Sequence, residues 1–148
     1  MRAVVQRVKR SSVKCGDIYN ETGQGLNVLL GVEKGDTEKD ADFIVNKIAS
    51  LRIFSDSDDK LNLSVKDING EILLISQFTL LGDARKGNRP SFIQAAGFDE
   101  GNSLYEYCLN ELKKTGLTVK GGVYGGDMCV EIINDGPVTI LLDSKKLF

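Results

Sequence analysis

The chain has 148 residues, with 41% hydrophobic and 27% charged, the size and balance of one ordinary globular domain spanning residues 1–148. Its 19 Lys and Arg against 21 Asp and Glu give a net charge of −2, which argues against a broad basic face for duplex nucleic acid and confines any RNA contact to one end of the molecule. Histidine is absent, and that excludes Ser-His-Asp triads, Cys-His dyads, His zinc sites and His acid–base catalysis.

The chain opens on strands. Arg2–Lys9 is followed by Ser11–Cys15, a tight turn at Gly16-Asp17 and a return along Ile18–Glu21. The opening residues are broken by charge every few positions and lack the apolar core of a signal peptide, so a cytoplasmic location without a membrane span is expected. Leu26–Gly31 is a further strand. Asp36 or Thr37 caps a first helix, on which Ala41, Ile44, Val45 and Ile48 recur at i, i+3, i+4, i+7. Leu51–Phe54 is predicted as a strand. Ser55–Asp59 is a polar loop without the glycine and terminal glutamate of a calcium loop.

Ile72–Ile75 is a continuous apolar run, the pattern of a strand buried on both faces. It leads into Ser76-Gln77-Phe78-Thr79-Leu80. Polar residues at a strand end either satisfy a fraying backbone or open a binding site whose free N–H groups receive an oxyanion. The following loop, Gly82 to Pro90, gathers Arg85, Lys86 and Arg89, as a solvated loop or as a contact for one or two phosphates. A second helix is predicted over Asn102–Thr115, with Tyr105, Cys108, Leu109 and Leu112 on one stripe and Gly116 as its stop.

Strands Leu117–Lys120, Met128–Ile133 and Val138–Leu142 complete the chain. The paired glycines of Gly121–Gly126 suit turns, bulges or a close ligand approach. Asn134-Asp135-Gly136-Pro137 reads either as a hairpin turn or as a rigid backbone tip presented to a ligand. Cys15, Cys108 and Cys129 form no CxxC pair and read as buried or free thiols. Two helices among about eight strands predict an α/β single domain. Mixed β-sheet layers would carry both helices on one face, a three-layer α/β/β arrangement.

These segments together resemble the D-aminoacyl-tRNA deacylase family from end to end: Met1–Val8, Leu30-Gly31-Val32, Arg52–Ser55, Ser76–Leu80, Arg89–Phe92 and Asn134–Thr139. The resemblance implies an editing hydrolase that cleaves the ester of D-aminoacyl-tRNA, and of glycyl-tRNA mischarged on tRNA-Ala. The tRNA 2′-OH assists, and neither cofactor nor metal takes part. It implies a catalytic segment of Ser76, Gln77, Phe78 and Thr79, with backbone N–H groups near Gln77 and Phe78 as the oxyanion site and Thr79 the weaker candidate for a chemical role. It further implies a homodimer in which a cis Gly136-Pro137 tip enters the partner's active site and rejects L-aminoacyl groups by collision. Arg7 would hold that tip, and Met128 would lie at the substrate site. One departure is local: Tyr124-Gly125-Gly126-Asp127-Met128 stands where the family usually has Phe, small residues and Asp-Met. Two other readings carry distinct expectations. A non-catalytic RNA-binding module would use Arg85–Arg89 and release no amino acid, and a small-ligand sensor dimer would bind a free metabolite without RNA.

Overall fold

The computed structural model describes residues 1–148. Its centre is a six-stranded mixed sheet in the order β2-β1-β3-β6-β7, with β8 on the other edge of β1. The strands are β1 (Arg2–Cys15), β2 (Ile18–Thr22), β3 (Gly25–Gly31), β6 (Glu71–Ser76), β7 (Thr118–Gly121) and β8 (Cys129–Asp143). β4 (Phe54–Ser55) and β5 (Leu61–Leu63) form a separate small ribbon. The pairings of β3 with β6 and β6 with β7 are parallel, while β1 runs antiparallel to all three of its partners.

Two helices, α1 (Glu38–Ser50) and α2 (Phe98–Lys113), cover one face. The α1 stripe is buried as expected, and its entry is set by Thr37, whose N–H donates to Asp40 Oδ2 at 2.9 Å. Tyr105, Cys108, Leu109 and Leu112 of α2 pack with Ala3, Val5, Leu26, Val28, Ile72 and Leu74 of the sheet in one core. On the opposite face the sheet curls back over itself. Val13, far along β1, packs on Leu73 and Ile75 of β6, with Leu29, Met128 and Val130 against them. Asn20 Nδ2 donates to the Gly121 carbonyl at 2.8 Å, and Lys120 Nζ to the Glu21 carbonyl at 2.7 Å, so β2 and β7 nearly close a barrel. The α/β class and its layering are as predicted.

Several element boundaries differ from expectation. The two opening strands are one 14-residue strand, with a register shift between Val8 and Arg10 that absorbs the charged break. Leu51–Phe54 is not a strand; only Phe54–Ser55 pairs, with a partner the sequence pattern did not suggest. α2 begins at Phe98 rather than Asn102 and includes Gly101, where a Cβ would lie 2.0 Å from the Tyr124 hydroxyl. The last two predicted strands are a single strand, β8. Gln6 pairs with Thr139 and Val8 with Asn134, so the residues from Asp135 to Val138 bulge outward opposite Arg7 alone and the chain does not reverse.

Candidate active site

β6 is buried on both faces until Ser76, where it meets solvent. The Gln77 N–H donates to the Leu30 carbonyl at 2.7 Å, continuing the parallel pairing by one residue, and Phe78–Leu81 then turn into a 3-10 helix. The N–H groups that open such a helix have no intrahelical carbonyl, which leaves those of Phe78 and Thr79 at the turn. Of the N–H groups near Gln77 and Phe78 expected to receive an oxyanion, that of Gln77 is engaged, and the open pair is Phe78 and Thr79.

Ser76, Gln77 and Phe78 form one wall of a cleft of about 460 Å³. Its floor is Leu30, Val32 and Ile75, and Ala96 and Phe98 bound a second side. The segment Tyr124 to Met128, with Val130, bounds a third. Nine of the 14 lining residues are apolar, and the polar groups cluster at the β6 end and at Asp127, the pattern of a pocket that orients a ligand by a few polar contacts.

The cleft is braced from the core. Phe98 meets Tyr124 edge-on at 5.2 Å, and Tyr124 tilts against Tyr105 at 5.7 Å. The Tyr105 hydroxyl donates to the Leu74 carbonyl at 2.8 Å and accepts from the Gly122 N–H at 3.2 Å, fixing the segment after β7 to β6. Burial pushes the Tyr105 phenol up to about 12 and raises that of Tyr124 as well, so both stay neutral and act as shape and hydrogen-bonding groups. Cys108 is buried with its thiol pushed up to about 12 by burial, which removes it as a nucleophile.

The expected site residues separate into two places. Ser76, Gln77, Phe78 and Met128 line the cleft. Thr79 is exposed and does not line it; its hydroxyl accepts from Gln77 Nε2. Arg7, Gly136 and Pro137 also lie outside the cleft of their own chain. The Gly136-Pro137 peptide is cis, and both residues are exposed on the β8 bulge. Arg7, with 12% of its side chain exposed, donates from Nε to the Asp135 carbonyl at 2.9 Å and from a terminal nitrogen to the Ile53 carbonyl at 2.9 Å. It ties the bulge to the segment after α1.

Phe98 and Ala96 were not singled out from the sequence, and Asp127 entered only as part of the Tyr124–Met128 segment. Phe98 gave a usable signal, as an aromatic residue directly ahead of the acidic first turn of a helix.

A family model described as D-Tyr-tRNA(Tyr) deacylase matches residues 4–143. A D-aminoacyl-tRNA deacylase of Clostridium beijerinckii is 58% identical over 149 aligned positions, covering 100% of both chains. One of Caldicellulosiruptor saccharolyticus is 54% identical over the same full span. Among solved structures, a c-Myc DNA unwinding element binding protein superposes with a TM-score of 0.90 at 44% identity, covering 97% of this chain and 98% of that one. A probable eukaryotic D-amino acid tRNA deacylase shares the fold, with a TM-score of 0.82 at 18% identity over 96% of this chain and 98% of that one.

Proposed function

Because the chain belongs to the D-Tyr-tRNA(Tyr) deacylase family and is an editing hydrolase of aminoacyl-tRNA, we propose that its cleft holds the aminoacylated 3′ end of a tRNA while the Gly136-Pro137 tip of a second copy completes it. Water adds to the ester carbonyl carbon and the bond to the ribose oxygen breaks, giving free amino acid and tRNA. The ribose 2′-OH assists this step. The Phe78 and Thr79 N–H groups face the developing oxyanion, a role that needs no ionisable side chain. Ser76, Gln77 and Met128 position the ester, and Phe98 and Tyr124 bound the nucleoside end.

Chirality is selected by exclusion. Carbonyl oxygens of the partner's tip occupy the side of the α-carbon where an L side chain would point, and a D side chain or the hydrogen of glycine points away. Arg7 keeps the tip in place. The working form is then a homodimer acting in the cytoplasm, with D-aminoacyl and glycyl ends as substrates.

The observation that carries this reading is the separation of parts. The cleft has a polar strand end and apolar walls, and the Gly136-Pro137 tip, tethered through Asp135 by Arg7, does not line the cleft of its own chain. The test is hydrolysis of one tRNA charged with D-tyrosine and, separately, with L-tyrosine, with no metal added. Rapid loss of the D-ester with the L-ester spared is expected. Loss of both would remove the filter from the mechanism. Loss of neither would favour a non-catalytic nucleic-acid-binding module, a reading supported by the name of the 44% identical DNA unwinding element binding protein.

A further inference from the structure

The loop after the 3-10 helix carries charge that the ester chemistry does not use. Residues 84 to 98 hold three cations and no carboxylate, in a chain whose net charge is −2. Asp83 and Ser91 exchange both backbone hydrogen bonds, at 2.8 and 2.9 Å, and project the residues between them as one closed loop. Arg85 folds back on Asp83 with contacts of 2.9 and 2.7 Å, so its charge is neutralised inside the loop. Lys86 and Arg89 are exposed, and neither forms an ion pair or a side-chain hydrogen bond.

The base of this loop is fastened to the cleft wall. Phe92, directly after Ser91, meets Phe78 edge-on at 5.2 Å, and it lies so close to Gly82 that a Cβ there would sit 2.9 Å from its ring. Arg89 is three residues from Phe92, so their Cα atoms are within about 11 Å. Phe78 and Phe98 of the cleft lining are 54% and 62% exposed, and Ile93, next to Phe92 in the chain, is 71% exposed. Cations interleaved with exposed rings suit a single strand, whose bases stack on ring faces while phosphates meet the charges. Two cations are too few for a duplex groove and enough for a short unpaired run.

We propose that Lys86 and Arg89 bind the phosphates of the unpaired tRNA nucleotides that immediately precede the esterified terminal nucleotide, and so set the register in which the ester enters the cleft. This assignment rests on the cleft being the ester site. The loop is a positioning element with no part in bond breaking.

The test compares the parent protein with a Lys86→Ala/Arg89→Ala double variant on charged tRNA and on the aminoacyl ester of adenosine, which has no phosphate. On tRNA the double variant is expected to raise KM about tenfold with kcat retained, and to flatten the slope of log(kcat/KM) against log[salt] by about 1.4, the release expected for two single-strand phosphates. On aminoacyl-adenosine the two proteins should act alike. A Lys60→Ala/Lys66→Ala variant, which removes two exposed charges from the β5 region, should leave the salt slope as it is in the parent. Unchanged KM and salt slope in the Lys86/Arg89 variant would overturn the proposal, as would equal losses on both substrates. An Ala96→Trp variant, which fills the cleft, checks the underlying site separately. It should abolish hydrolysis of both esters, and survival of hydrolysis there would sink the site assignment itself.

Discussion

The cleft and the Gly136-Pro137 tip are built in contrasting ways. The cleft is assembled from four separate stretches of chain and backed by a column of aromatic rings that reaches Tyr105, 1% exposed in the middle of the core. The tip is a few consecutive residues pushed out of one strand, and one side chain, Arg7, ties it through the Asp135 carbonyl to the Ile53 carbonyl after α1. Cleft shape is therefore coupled to global stability, whereas tip placement can be loosened in a folded molecule. Reaction and selection, assigned to these two regions, should separate under mutation.

The largest effect is expected at the root of the cleft. Tyr105→Ala removes a buried ring together with its hydroxyl bonds to the Leu74 carbonyl and the Gly122 N–H, which leaves those two groups only their 3.3 Å bond to each other. Urea unfolding should show a loss of about 3–5 kcal/mol, together with loss of all hydrolysis. Tyr105→Phe keeps the ring and should lose about 1–3 kcal/mol. A Tyr105→Ala protein with parental stability would dissolve the contrast between the regions.

Arg7→Ala should sharpen it. Hydrolysis of the D-ester should persist while the preference for D- over L-tyrosyl-tRNA falls at least about tenfold, with about 1–3 kcal/mol of stability lost from the two half-buried hydrogen bonds. Arg7→Lys should not restore selectivity, because an ammonium cannot span two carbonyls as a planar fork does.

A smaller effect should appear at alkaline pH. Burial raises the Cys108 thiol from 9.0 to about 12 and the Tyr105 phenol from 10.0 to about 12. Between those limits the folded state keeps protons that the unfolded state has released, so stability is complete below pH 9 and declines as pH rises toward 12. Urea midpoints across that range should fall, and Cys108→Ala should delay the start of the fall toward pH 10.

The smallest effect is expected at Thr79, which faces solvent and engages Gln77. Thr79→Ala should keep single-turnover hydrolysis within about twofold, since its assigned contribution is a backbone N–H that Ala retains.

What was legible in the sequence was local. The stripes Ala41, Ile44, Val45, Ile48 and Tyr105, Cys108, Leu109, Leu112 needed only helical periodicity, and all eight residues are buried. The run Ile72–Ile75 announced a doubly covered strand in the same way. What was not legible depended on distant partners. Asn134–Pro137 has turn chemistry whether the chain reverses or bulges, and only continued pairing with β1 on both sides decides between them. Gly97 and Gly101 look like loop residues until Tyr124 is seen to need the space beside Gly101. The segment Ser76–Thr79 was assigned its role by resemblance, but which of its amides remain open followed from the Leu30 carbonyl, 47 positions away from Gln77.

The central claim is that selection acts between chains, and a mixing experiment tests it most directly. A chain with a disrupted tip, Pro137→Ala, should hydrolyse L-tyrosyl-tRNA when alone, and a chain with a filled cleft, Ala96→Trp, should hydrolyse nothing. Mixed with an excess of the filled-cleft chain, each open cleft should receive an intact tip, so L-ester hydrolysis should fall while D-ester hydrolysis continues. L-ester hydrolysis that is unaffected by mixing, although the chains have exchanged, would place the filter within one chain and contradict the account.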